Sequence, residues 1–259
     1  MNIAVCIKQV PDTEAPIRIR GDGRGIEEGG LAFVPNYYDE HAVEEALRIK
    51  EKAGGTVTLL TAGPARAAEA LRAGLAMGAD QAIHIQDAVL DGADHIIIAR
   101  ALAAAIAPLS CDLVLCGKLA TDDNAAIVGP ALAEFLGLPQ ATAVTRVELE
   151  ERTARVHREV EGAVEILEVS LPAVITVERG INEARYPSLP GIMKAKRTPL
   201  TVRSLADLGL ASGEVGPSRV ELLGLTPPPR RQAGRILEGE PAAVVKDLVR
   251  LLREEAKVL

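Results

Sequence analysis

The first half of the chain alternates short apolar runs with stretches whose apolar residues recur every three or four positions. Residues 2–10 are apolar and β-branched, which reads as a buried first strand. Residues 56–62 and 81–85 repeat that pattern, and 111–116 is almost wholly apolar, as a central parallel strand is. Helical stretches fall between them. The first, 40–53, has Ala42, Val43, Ala46, Leu47 and Ile49 as its inner stripe, Asp39 as its expected N-cap and Gly54-Gly55 as its stop. The others are 65–76, opened by Pro64, the alanine-rich 93–107, and 125–136 after a loop at 117–124. Regular alternation with short connections predicts an α/β fold. The expected architecture is a Rossmann-like, doubly wound, mostly parallel sheet with helices on both faces.

The period changes beyond residue 140. Residues 144–149, 155–160 and 164–170 alternate apolar and polar positions, separated by Glu150-Glu151 and Glu161-Gly162, and read as a small antiparallel insert. Residues 172–177 form another buried strand, and 17–20 alternate like a short edge strand before the Gly21-Asp22-Gly23 turn. Residues 178–199 read as a long irregular segment and 205–209 as a short helix or turn. Thr226-Pro227-Pro228-Pro229-Arg230-Arg231 is a polyproline-like linker. A last helix over 241–257 carries Val244, Val245, Leu248, Leu251 and Leu252 on one face. The chain therefore divides into an α/β domain, 1–225, and an arm, 226–259, which packs on its own body or on another subunit.

Composition narrows the function classes. With 259 residues, 48% hydrophobic and 25% charged, the chain can fill a core without staples. A net charge of −7 argues against a nucleic acid polymer as partner. No run of 18 apolar residues is long enough for membrane insertion. The start, Met1-Asn2-Ile3-Ala4-Val5, lacks the basic region and cleavage site of a signal peptide. Cys6, Cys111 and Cys116 have no metal-ligand spacing and read as small core residues in a reducing compartment. His41, His84, His95 and His157 are scattered. There is no P-loop, no glycine-rich dinucleotide fingerprint after the first strand and no nucleophile elbow. No catalytic constellation and no metal site are expected. Aromatic residues make up only 2% and Trp is absent, so this chain alone cannot build an aromatic platform for a flavin.

Two segments carry candidate chemistry. At Gly117 a buried strand ends, and the next helix is expected to begin near Asn124. Its free N–H groups and positive dipole end would then face the crevice beyond the strand ends, where a phosphate fits. Lys118 adds charge there, while Asp122 and Asp123 suit ribose hydroxyls or helix capping. The second segment, Arg179 to Lys196, is basic at its end and carries Leu189, Ile192 and Met193. It reads either as an exposed docking surface or as a short helix with those three residues on its inner face.

Within this second segment, Asn182-Glu183-x-Arg185-Tyr186-x-x-Leu189-Pro190-x-Ile192-Met193-Lys194-Ala195-Lys196 resembles the signature of electron transfer flavoprotein beta subunits. Residues 5–10, Val43 to Lys50, Leu71 to Asp80, Asp112-Leu113-Val114 and Gly117-Lys118 agree in order and spacing, so the resemblance spans about residues 1–210. It implies a heterodimer with an alpha subunit that holds most of the redox FAD, and an AMP buried in the α/β domain with a structural role. The matching AMP contacts are Cys6, the stretch Asn36, Tyr37, Tyr38 and Asp39, then Ala62. They continue along Gly117, Lys118, Leu119, Ala120, Thr121, Asp122, Asp123, Asn124, Ala125, Ala126, Ile127 and Val128. Thr13 and Tyr38 match positions near the FAD. Tyr186, Leu189, Pro190, Ile192, Met193, Lys194 and Lys196 match a recognition loop that docks partner dehydrogenases, with Leu189 as the anchor. Relatives often carry a polar residue near Ala126 and Ile127, both apolar here. The implied activity is electron transfer without bond-making catalysis. Electrons would pass in the cytoplasm from acyl-CoA and other flavin dehydrogenases to a membrane quinone oxidoreductase. Two alternatives stand beside this one. One is an electron-bifurcating relative with a second FAD in place of AMP. The other is a nucleotide-binding module resembling universal stress proteins, which would form a homodimer.

Overall fold

The computed structural model describes residues 1–210, 215–229 and 234–259. The chain runs β1 (Asn2–Cys6), β2 (Gln9–Pro11), β3 (Phe33–Pro35), α1 (Tyr37–Ala53), β4 (Thr56–Ala62), α2 (Ala68–Met77), β5 (Gln81–Ile85), α3 (His95–Ile106) and β6 (Leu113–Gly117). It continues through α4 (Val128–Leu136), β7 (Gln140–Leu149), β8 (Thr153–Val160), β9 (Ala163–Ser170), β10 (Ala173–Val177), α5 (Leu189–Arg197), β11 (Thr201–Arg203) and α6 (Pro241–Glu254).

Nine strands form one sheet in the order β11-β5-β4-β1-β6-β10-β7-β8-β9. Every pair from β11 to β7 is parallel, and only β7–β8 and β8–β9 are antiparallel. The expected architecture is therefore present. Along β1 the side chains divide by the pleat: Ile3 and Val5 enter one apolar cluster with Val43, Leu47, Leu71 and Leu75. Ala4 and Cys6 enter the other with Leu102, Ile106 and Leu132. Both faces of the central strands are thus covered, by α1 and α2 on one side and by α3 and α4 on the other, which is why these runs are continuously apolar.

β1 has β4 on one side and β6 on the other. The crossovers from β1 lead to opposite halves of the sheet, so the carboxyl ends of β1 and β6 splay into a crevice. A second sheet of two strands, β2 and β3, pairs antiparallel next to it. That pairing ends the first strand at Cys6 rather than at residue 10.

Several expectations need correction. Residues 17–20 form no strand with a partner strand, only an isolated bridge between Ile19 and Ile26. Residues 178–199 are not wholly irregular, because α5 occupies Leu189–Arg197 with the Ser188 side chain accepting from Gly191 N. The short parallel strand β11, absent from the sequence reading, extends the sheet at its β5 edge. The arm's Thr226–Pro229 is exposed, and its Arg230 and Arg231 lie outside the described residues. α6 has no buried residue. Among the described residues no helix is long and apolar enough to cross a membrane.

Candidate functional site

The switch-point crevice is a cavity of about 370 Å³. Cys6, Asn36, Asp39, Ala62, Gly117, Lys118, Leu119, Ala120, Asp122, Asp123, Ala125, Ala126, Ile127 and Val128 line it, so the structure brings together most residues proposed for AMP. Tyr37, Tyr38, Thr121 and Asn124 are not on its wall, nor is Thr13, an exposed residue of the loop after β2. Glu28, Phe33, Arg66 and His95 also line the cavity and were missed. Lys8 and Gln9 line it as well, in the 7–11 loop beyond the carboxyl end of β1, where sheets of this kind are expected to bind ligands. Phe33 and Arg66 come together only in three dimensions, with the guanidinium 3.9 Å over the ring.

The first turn of α1 builds one wall. Asn36, not Asp39, is the N-cap, and its side chain does not cap the helix. The amide is taken by the facing loop instead: Nδ2 donates to Leu119 O at 2.8 Å, and Oδ1 accepts from Thr121 N at 3.1 Å. Asp39 lies one turn in and is buried. Its Oδ2 accepts from Lys8 N at 2.8 Å and its Oδ1 from Gly117 N at 3.0 Å, so one carboxyl ties the ends of β1 and β6 together. Burial pushes this carboxyl up to about 7, against the opposing pull of its N–H donors. A Cβ at Gly117 would collide with Asp39 Oδ1 and Tyr38 Cβ, so the strand end needs glycine to accept this carboxyl.

The loop after β6 supplies the opposite wall. α4 begins at Val128, not at 125, because Asn124 and Ala126 sit at φ 50° and 54°, which a right-handed helix cannot include. Left-handed residues alternating with ordinary ones turn successive N–H groups toward one side, and such a concavity receives anions. Among the described residues, the N–H groups of Ala126, Ile127, Val128 and Gly129 meet no protein acceptor. Residue 130 is Pro and has no N–H to satisfy. The positive end of α4 adds to this row.

An ion-pair bridge runs along the cavity wall. Lys8 Nζ lies 2.8 Å from both Asp122 and Asp123, and His95 Nε2 lies 2.9 Å from Asp123 Oδ2. Asp123 is held down at about 2: burial opposes ionisation, but the Lys8 ammonium, the Ala125 N–H and His95 outweigh it. Elsewhere on the wall, Arg66 donates to Gln9 Oε1 at 2.9 Å and to Glu28 Oε1 at 3.0 Å, tying the hairpin region to the turn before α2. Lys118 Nζ pairs with Glu178 at 2.6 Å.

The second candidate segment is displayed on the same helix, α1. Asn182 is buried; its Nδ2 donates to His41 O and to Glu45 Oε2, both at 3.0 Å, and its Oδ1 faces His41 Nδ1 at 3.0 Å. Arg185 clasps Glu44 through Nε at 2.7 Å and Nη2 at 3.1 Å. Past this clamp Tyr186 is 96% exposed and Leu189 74% exposed. α5 packs on α2 so closely that a Cβ at Gly191 would strike Ala76 O. Arg72 reaches over to the carbonyls of Ala195 and Thr198. Of its residues only Ala195 is buried. Both sequence readings were thus half right: the segment is a helix, but Leu189, Ile192 and Met193 face outward.

Among the described residues, these features place a cavity edged by unpartnered N–H groups at the sheet switch point and an exposed apolar-basic helix packed on α2. Among the described residues no group of three metal-ligating side chains occurs. The family model for the electron transfer flavoprotein domain matches residues 25–208. The chain is 44% identical over 261 residues to the electron transfer flavoprotein subunit beta of Bacillus subtilis (strain 168), covering 100% of both. It is 42% identical over 247 residues to that of Mycobacterium tuberculosis (strain ATCC 25618 / H37Rv), covering 92% of this chain and 93% of the other. It is 38% identical over 261 residues to that of Bradyrhizobium diazoefficiens, again covering 100% of both. The chain belongs to the electron transfer flavoprotein beta subunit family.

Proposed function

We propose that this chain is the nucleotide-holding, non-catalytic half of a heterodimeric electron carrier. The observation that carries the reading is the row of unpartnered N–H groups from Ala126 to Gly129 at the edge of the switch-point cavity. A phosphate would accept from that row without a dedicated lysine, and the cavity would enclose the rest of an AMP. Its volume, about 370 Å³, lies low in the roughly 300–1,000 Å³ range of ligand sites, which favours AMP over a second FAD. AMP here has a structural role, holding the ends of β1 and β6 and the loop after β6 in one arrangement.

The redox FAD is held mainly by the alpha subunit, in keeping with the 2% aromatic content of this chain. Tyr38 and Thr13, both off the cavity wall, would face that flavin. The protein contributes position and electrostatics, and the flavin supplies the redox chemistry. That α6 buries no residue supports an arm, 226–259, that packs on the alpha subunit. Tyr186, Leu189, Pro190, Ile192, Met193, Lys194 and Lys196 dock acyl-CoA and other flavin dehydrogenases, and the reduced carrier then serves a quinone oxidoreductase at the membrane. A single apolar anchor with a basic fringe gives brief, replaceable contacts. The setting is the cytoplasm.

The test is Leu189→Ala in the intact heterodimer. The expected result is a KM for the carrier raised about tenfold or more in dehydrogenase-driven flavin reduction, with flavin content unchanged. An unchanged KM would remove α5 from the docking role.

A further inference from the structure

The cations of the cavity wall are paired before any ligand arrives. Lys8, Arg66 and Lys118 are its cations, and Glu28, Asp39, Asp122 and Asp123 its carboxylic acids. Each cation already has a carboxylate: Lys8 has Asp122 and Asp123 at 2.8 Å, Arg66 has Glu28 at 3.0 Å and Lys118 has Glu178 at 2.6 Å. Arg66 and Lys118 are held at the walls by these pairs. Of the three, Lys8 is the one shared by two carboxylates, Asp122 and Asp123, which leaves one negative charge beyond what it balances. His95 leans on the same Asp123 carboxylate at 2.9 Å.

The position of this bridge matters more than its strength. Asp122 and Asp123 stand on the loop that leads directly into the N–H row of Ala126 to Gly129. An anion seated on that row is stabilised by backbone dipoles, which need no side-chain cation. A second anionic group that extended from this row toward Asp122 and Asp123 would meet two carboxylates whose one cation is already engaged. Resting on the nucleotide reading above, we propose that the Lys8–Asp122–Asp123 bridge sets how many phosphates the pocket accepts. A nucleoside monophosphate binds on the backbone row, and the further phosphates of a di- or triphosphate are refused by the two carboxylates. Lys8 is the residue that keeps the refusal from extending to the monophosphate itself. These three side chains are specificity-determining residues that position charge rather than carry out chemistry.

The experiment is titration calorimetry of AMP and ADP, without divalent cations, on the full-length chain stripped of nucleotide. The readout is the ratio of the two dissociation constants within each variant, which cancels general loosening of the fold. The wild type is expected to bind AMP at least roughly tenfold more tightly than ADP, as like-charge contact near a partly exposed site requires. Asp122→Asn with Asp123→Asn keeps oxygen acceptors for the loop while removing both charges, and it should narrow the ratio by roughly tenfold. Lys8→Met should move it the other way, and this variant decides the matter if the double Asn variant does not fold. Firm AMP binding with equal ADP binding in the wild type would overturn the proposal while leaving the nucleotide reading in place. An unchanged ratio in the variants would overturn it in favour of simple steric exclusion. Binding of neither nucleotide would overturn the nucleotide reading, and the proposal with it.

Discussion

Replacing Asp39 with Asn changes one atom at the point where β1, β6 and α1 meet. The wild-type carboxyl accepts from Lys8 N and Gly117 N, one on each oxygen. An amide can accept only one of these and turns its NH2 toward the other donor. A buried N–H left without an acceptor costs about 1–3 kcal/mol. Against this stands the cost of burying a charge. The native carboxyl is raised from its ordinary 3.8 to about 7, so the folded chain holds a proton that the unfolded chain has released. The stabilisation from that proton is fully present below about pH 4 and is lost as pH rises through about 7. At about 1.4 kcal/mol per pKa unit, it amounts to about 4 kcal/mol. Asn has no proton to lose. The variant should therefore be less stable than wild type by about 1–3 kcal/mol near pH 4, and equal or more stable above pH 7. Urea unfolding of the full-length chain at both pH values measures the two differences, and every titrating group common to both proteins cancels in them. A variant destabilised equally at both pH values would refute the claim that Asp39 is a buried, costly carboxylate.

Further predictions concern other contacts of the same frame. Gly129→Ala places a Cβ against Thr176 Cγ2 under the start of α4, and overpacking should cost about 1–3 kcal/mol, read as a fall in Tm. Asn36→Ala removes both contacts to Leu119 and Thr121, and AMP affinity should fall by roughly tenfold or more in calorimetry while the far-UV spectrum is unchanged. Arg185→Ala leaves the Glu44 carboxylate without its clasp and should speed hydrogen exchange across 182–197 without altering nucleotide content. Glu44 is held below its ordinary value because Arg185 and Arg48 outweigh its burial. That contribution is present above about pH 4.5 and lost as pH falls, and the Arg185 variant, which keeps only Arg48 on Glu44, should show less of this acid sensitivity. Truncation after Leu225 should lower the melting temperature of the heterodimer by several degrees if the arm grips the alpha subunit.

The strands and helices of the sheet were legible because burial on both faces writes continuous apolar runs, and β4 and β5 coincide with the sequence reading at both ends. The crevice was legible through the loop after β6, since a strand, a glycine and a helix start have a local signature. The start of α4 was not, because left-handed backbone at Asn124 and Ala126 is imposed by the tertiary setting on residues that do not advertise it. Asp39 misled for a related reason: an acidic residue ahead of an apolar stripe has the pattern of an N-cap, yet here it serves two strand ends 31 and 78 residues away in sequence. The partners of Lys8, 114 and 115 residues distant, had no sequence signal at all. α5 looked irregular because two prolines and a glycine precede or open it, and its helix is held by α2 rather than by its own propensity.

The most direct test of the central claim is to co-express this chain with its alpha partner, denature the purified complex and count the nucleotides released per heterodimer. The account predicts one FAD and one AMP. Two FAD and no AMP would contradict the mononucleotide reading of the switch-point cavity, and a homodimer without flavin would contradict the electron-carrier role itself.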